Sequence, residues 1–329
     1  MNGGSTTAIT VSRANPQLIW VGGSGLYQSL DGGVSWAERS SGIGAGHLEL
    51  RLHPTDSSIL FVERPDGQLY RSSDEGRAWT LIEDSGSGLA FDAGGGALYR
   101  ARGNSILVSR DNGDSWSQLD APADNLWGVG LSPTGVLYAL GDCRDNSLLH
   151  ISSDGGRTWT QSSSYLPCDR PRFAFGDRQG KRIYITGDVE ISRSDNSGAT
   201  WSKCEPVGTH ARYGPRLTVD PYNPDRLFLA TRVTGVLLSR DGCQSWQQGN
   251  TGLGSLFVNS VAIDPNHPDT VYAGTDGGAY VSFDGGATWG PINDGLLGAL
   301  VVYSIVIDPQ SNVYAATPYG VFKLQGAVP

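Results

Sequence analysis

Three sets of side chains in this 329-residue chain have the means for chemistry. The first is a group of carboxylates, Asp276, Asp142 and Asp188, each following a short apolar run. Glycoside hydrolysis needs two such groups, one to protonate the leaving oxygen and one to act as base or nucleophile. The second is three arginines, Arg64, Arg102 and Arg232, at matching places in three separate segments. A guanidinium fork fits a sugar carboxylate bidentately. The third is the cluster His210-Ala211-Arg212-Tyr213-Gly214-Pro215-Arg216. There His210 or Tyr213 would abstract a proton α to a carboxylate that Arg212 neutralises, as polyuronate lysis requires. Bland readings accompany each set. Asp-Gly is a common turn dipeptide, and rim arginines commonly pair with neighbouring acids such as Glu63 and Asp142.

Other chemistries find no footing. The chain has no nucleophile elbow, no Gly-rich phosphate loop and no His-rich metal pattern, so neither a cofactor nor a metal is expected. The formal net charge of −9 disfavours a nucleic-acid partner, because phosphate binding needs clustered positive charge. No apolar run is long enough to span a membrane.

The elements that position these residues follow from an octapeptide, Ser-x-Asp-x-Gly-x-x-Trp, that recurs seven times. Its tryptophans fall at 36, 79, 116, 159, 201, 246 and 289, so successive spacings are 43, 37, 43, 42, 45 and 43 residues. A period in this range marks a repeat architecture. The acidic position is held by Asp31, Asp74, Asp111, Asp154, Asp241 and Asp284, with Asn196 as the exception; Cys243 replaces the glycine of the sixth copy. These acids are expected to be structural, bonding backbone amides two residues on. Each period also holds short β-like runs, clearest in the seventh: Ser260–Ile263, Thr270–Gly274 and Ala279–Ser282, with a fourth run after the octapeptide. Beyond the last octapeptide come three more runs, 303–307, 312–316 and 320–324, which makes 31 strands.

The octapeptide resembles the Asp-box, or BNR repeat, found in sialidases, xyloglucan-cleaving endoglucanases, sortilin-type receptors and a photosystem II assembly factor. The resemblance covers nearly the whole chain. It implies an all-β fold: one β-propeller domain of four-stranded antiparallel blades over residues 1–329, eight in number, or seven if a terminal set packs elsewhere. The B–C and D–A loops then share one face, and the octapeptides lie on the other. By analogy with other propellers, the B–C/D–A face engages the ligand. Trp127 opens strand A of blade four and reads either as a stacking platform at the channel mouth or as an aromatic between blades.

Within this family, Thr275-Asp276-Gly277-Gly278-Ala279-Tyr280 resembles the stretch bearing a catalytic acid in xyloglucan-cleaving endoglucanases, and Asp276 aligns with that acid. Asp142 and Asp188, on corresponding loops, are its candidate partners. Those enzymes set a cleft between two propellers, whereas this chain holds one. The arginine set is similar to the sialidase triad, although the Arg-Ile-Pro motif of sialidases is missing. The partner expected is a glycan or polysaccharide, with a protein partner as the alternative in a non-enzymatic scaffold.

Cysteines occur at 143, 168, 204 and 243 and do not follow the two-residue gaps of a zinc site. The propeller reading puts Cys143 and Cys168 on one face of a blade, and Cys204 and Cys243 near the outer rims of adjacent blades. Two disulfides and an oxidising compartment fit that placement, against four free thiols in a cytoplasmic protein. Met1-Asn2-Gly3-Gly4 has neither the basic nor the apolar region of a signal peptide. Because relatives that share the box are mostly secreted, the expectation is a secreted or periplasmic mature form.

Overall fold

The computed structural model describes residues 6–12, 15–23, 25–43, 49–56, 58–92, 94–120, 126, 128–141, 148–166, 172–187, 190–204, 216–294, 296 and 301–324. It is an all-β propeller of eight blades. Seven sheets have four strands and the eighth has three, in 31 strands overall among the described residues. Every blade is an antiparallel meander, so strands A to D follow chain order from the channel outward. In such a meander alternate connections sit at opposite ends. The B–C and D–A loops therefore lie together on one face, called the top, and the A–B loops and octapeptides on the other.

Why these residues form blades is clearest in strands B and C. Leu137–Leu140 of blade four and Leu227–Ala230 of blade six are buried along their whole length. A strand covered on both faces reads as an unbroken apolar run rather than an alternating one. Each cluster of core residues lies between two blades. Phe228, Ala230, Val236 and Leu238 of blade six pack on Val261, Val271, Ala273 and Tyr280 of blade seven. The ring closes the same way, with Ile9, Ile19 and Val21 of blade one against Tyr314 and Ala316 of blade eight.

The octapeptides lock the rim. In the first copy the Ser29 hydroxyl donates to Asp31 Oδ1 at 2.7 Å and accepts from the Gly33 amide at 2.7 Å. Asp31 accepts from the amide of Ser35 at 2.8 Å and from its hydroxyl at 2.5 Å. The acid thus reaches the amide four residues on, not two as expected; the serine makes the two-residue link, accepting from the Asp31 amide at 3.4 Å. Two successive residues take positive φ, such as Gly32 at 69° and Gly33 at 93°. A side chain at the second position also meets the neighbouring blade: a Cβ on Gly76 would lie 2.2 Å from the Trp20 ring of blade one. Asn196 preserves the turn without a charge, accepting from the Thr200 amide at 2.9 Å and donating to its hydroxyl at 2.9 Å.

These bonds favour the ionised carboxyl. The hydroxyl and then the amide of the serine four residues on hold Asp31, Asp111 and Asp241 at about 2. The Thr158 hydroxyl and amide push Asp154 below the ordinary carboxyl range. A carboxyl that binds its proton more weakly folded than unfolded adds stability that is complete above its unfolded value, about 3.9. That contribution drains away as pH falls through the folded value. Urea midpoints measured from pH 7 to pH 2 are therefore expected to drop steeply between about pH 4 and pH 2. A flat profile across that window would mean that the turns do not hold their acids in this way.

Candidate functional site

On the top face the turn between strands B (Val271–Thr275) and C (Gly278–Ser282) of blade seven is only Asp276-Gly277. Thr275, fully buried, locks it: its hydroxyl donates to the Gly278 carbonyl at 2.9 Å and accepts from the Gly277 amide at 2.9 Å. Gly278 has φ of 119°, and a Cβ there would fall 2.2 Å from Asn293 Oδ1, which accepts from the Ala279 amide at 2.8 Å. Blade eight builds the same turn with other residues. There Thr317 bonds the Gly320 carbonyl at 2.9 Å and the Tyr319 amide at 3.1 Å, across Pro318-Tyr319. The turn thus needs the threonine and the glycine, and no acid.

The Asp276 carboxylate is engaged elsewhere. Oδ1 accepts from Asn259 Nδ2 at 2.7 Å, and Oδ2 faces Arg232 Nη2 of blade six at 3.8 Å. Asn259 also donates to the Val302 carbonyl at 3.1 Å, so it braces blade seven against the approach to blade eight. The Asp276 amide donates to the Phe257 carbonyl at 3.0 Å, tying the turn to the D–A loop beside it. That loop and the neighbouring B–C loop expose Leu256 (45 %), Phe257 (54 %) and Val233 (57 %). The result is a half-buried carboxylate with a fixed orientation, beside a guanidinium and bordered by apolar side chains. It offers acceptor and donor groups for sugar hydroxyls and apolar surface for a ring face.

Of the residues expected on this face the structure brings Asp276 and Arg232 together, and beside them lie Asn259, Leu256, Phe257 and Val233, which the sequence had not singled out. Asn259 had a signal, an amide in a strand A whose other residues are apolar apart from Ser260. The other arginines lie in blades two and three. Arg64 pairs with Asp66 of its own loop at 3.2 Å and donates to the Ile43 carbonyl at 2.5 Å. Arg102 pairs with Glu83 at 3.1 Å and Asp84 at 3.5 Å, both at the end of strand D of blade two. Glu63 pairs at 3.2 Å with the fully buried Arg100, which also donates to the Gly67 carbonyl. Asp142, Asp188, Trp127, His210, Arg212, Tyr213, Cys143 and Cys168 lie outside the described residues. Cys204 of strand D in blade five and Cys243 in the octapeptide of blade six form a disulfide. Among the described residues no group of three His, Cys, Asp or Glu could hold a metal ion. No helix there is long and apolar enough to cross a membrane.

Against known proteins, no family model matches the chain. It is 32 % identical over 167 residues to a probable oligoxyloglucan-reducing end-specific xyloglucanase of Neosartorya fischeri, across 46 % of this chain and 20 % of that protein. It is 29 % identical over 280 residues to a xyloglucanase of Hypocrea jecorina, across 80 % of this chain and 30 % of that protein. The chain therefore spans less than a third of the length of these relatives. Among solved structures, an ancestral GH74 enzyme superposes with a TM-score of 0.56 at 18 % identity, over 97 % of this chain and 54 % of that one. YCF48 bound to D1 peptide superposes with a TM-score of 0.56 at 18 % identity, over 83 % and 90 %. At such identities the superpositions establish the propeller fold alone.

Proposed function

We propose that this protein is an extracytoplasmic propeller that binds a glycan on its B–C/D–A face, with Asp276 at the contact, and that glycoside hydrolysis is the reaction it would catalyse. One observation carries the reading: the turn bearing Asp276 is held by Thr275, so the carboxylate is not spent on local structure. It is instead oriented by Asn259 and Arg232 beside exposed apolar side chains. Similarity to xyloglucanases makes a xyloglucan-type chain the first ligand to try. Hydrolysis needs a second carboxylate, for which Asp142 and Asp188 remain the candidates. The Cys204–Cys243 disulfide supports an oxidising compartment.

Titration calorimetry with xyloglucan oligosaccharides tests the binding, and a reducing-end assay tests the chemistry. Asp276→Ala and Phe257→Ala are each expected to weaken binding about tenfold, the size of one good contact at 1.4 kcal/mol. If the wild type releases reducing ends, Asp276→Asn should slow release about 10²- to 10⁴-fold. Binding without release makes the protein a glycan receptor. Unchanged affinity in both alanine variants removes the site. A protein-binding face is the second reading, drawn from the same exposed Leu256, Phe257 and Val233. The anionic-sugar alternative has less support, since Arg64, Arg102 and Arg232 are each engaged by an acid.

A further inference from the structure

On the face opposite Asp276, the A–B loops of blades six and seven are tied into one ledge. In blade six the loop runs from Asp220 to Arg226, between strand A (Arg216–Val219) and strand B (Leu227–Ala230). Buried Asp220 holds it from inside. Its Oδ1 accepts from the Tyr222 amide at 2.8 Å and from the Asn223 amide at 3.3 Å. Two side chains then cross to the loop of blade seven. The Tyr222 hydroxyl donates to the Pro265 carbonyl at 2.8 Å, and Arg226 Nη1 donates to the Pro268 carbonyl at 2.9 Å. With its amide and its hydroxyl both engaged, Tyr222 has little conformational freedom left to lose. Yet the residue is 62 % exposed.

The bridge itself does not require a tyrosine. One blade further on, Asn266 stands at the same place after an Asp-Pro pair, with its amide bonded to Asp264 Oδ1 at 2.8 Å. Its Nδ2 donates to the Pro309 carbonyl of blade eight at 2.9 Å. A short polar side chain therefore makes the same link from loop to loop, and the ring of Tyr222 is surplus to it. The surroundings of that ring are polar. The other exposed residues of the two loops are Pro221, Asn223, Asn266, His267 and Asp269. His267 is oriented by Asp264, whose Oδ2 lies 3.4 Å from its Nδ1. A protein-binding hot spot sets its aromatic anchor within a contiguous apolar patch. A single fixed ring fringed by hydrogen-bonding groups matches a sugar instead, which has apolar C–H faces and a rim of hydroxyls.

We propose that Tyr222 is the stacking platform of a second saccharide-binding site, on the A–B loop face, for a neutral polysaccharide. One sugar ring lies on the exposed face of the phenol. Asn223 of the same loop, and His267 and Asp269 of the next, meet its hydroxyls. Because the ring is fixed beforehand by Asp220 and Pro265, stacking carries little ordering cost. The site shares no residue with the one around Asp276, so it stands whether or not the top face binds a glycan.

The probe is xyloglucan cast into native gels, with hydroxyethylcellulose in a parallel set, through which the whole protein is run. The wild type is expected to be retarded relative to a gel without polysaccharide. Tyr222→Asn keeps a donor for Pro265, as Asn266 does for Pro309, and removes the ring. It should weaken binding about five- to tenfold, the worth of one aromatic stacking contact. Tyr222→Phe keeps the ring and removes the bridge. It should stay close to the wild type in the gel while unfolding at a lower temperature. Thermal unfolding of Tyr222→Asn should match the wild type, so its lost retardation reports the ring and not the loop. The loss should persist in a Phe257→Ala background. A Phe257→Ala protein that binds like the wild type would remove the top-face site and leave this one untouched, so the two failures are separately visible. The proposal is overturned if neither polysaccharide retards the wild type, or if Tyr222→Asn is retarded as strongly as the wild type. It is overturned too if Tyr222→Phe loses as much as Tyr222→Asn, which would assign the effect to the bridge.

Discussion

Replacing Trp289 with alanine is expected to lower the unfolding free energy by about 4 kcal/mol, the usual cost of removing a buried tryptophan ring. The ring is 6 % exposed and packs among Phe228, Val236, Val271 and Tyr280. It joins two blades, so its loss leaves a cavity at an interface that both sheets need. Its N–H donates to the Gly249 carbonyl at 2.8 Å, and the alanine variant also leaves that carbonyl without its partner. Trp289→Phe separates the two contributions. It keeps most of the ring and removes the bond, for a cost of about 1 to 2 kcal/mol. Guanidinium denaturation measures both. A loss below about 1 kcal/mol for alanine would show that the octapeptide tryptophans are dispensable to blade packing.

That prediction was within reach of the bare chain, because the features behind it are local and repeated. The octapeptide period, the burial of its tryptophan and the final set of three strands all follow from spacing within about 45 residues. Even the disulfide was legible once Cys204 and Cys243 had been assigned to adjacent rims. Hydrogen-bond detail was not. The acid of the octapeptide bonds four residues on, and the division of labour between Ser29 and Asp31 depends on two consecutive positive φ values that a consensus does not display.

The surroundings of the candidate site were legible in part, for the same reason. Asp276 announced itself by its motif, but what it does for the turn could be judged only by comparison with Thr317 and Tyr319 of blade eight. Asn259 lies 17 residues from Asp276 in the chain, and Arg232 lies 44 residues away in a different blade. Their convergence is a property of how the wedges pack, and no local pattern encodes it. Arg102 illustrates the converse: alone it resembles an anion ligand, yet Glu83 and Asp84 of the preceding blade engage it.

Loss of the Cys204–Cys243 bridge is expected to cost about 4 kcal/mol, the loop-closure entropy for cysteines 39 residues apart. The bridge replaces a glycine in the one octapeptide that lacks it, and that substitution has its own penalty. Cys243 holds φ of 76°, a region that costs a side-chain-bearing residue about 1 to 2 kcal/mol. Cys204→Ala should therefore be the least stable form, since it keeps the strained backbone and loses the link. The double variant Cys204→Ala, Cys243→Gly restores the glycine found at this position in the other six turns and should recover about 1 kcal/mol. Guanidinium midpoints, taken with and without dithiothreitol, should rank the wild type first, the double variant second and the single variant last. Reductant should lower the wild type toward the single variant. If the double variant is no more stable than the single one, the left-handed backbone at Cys243 carries no penalty. In that case the disulfide cannot be what makes a cysteine tolerable at a glycine position.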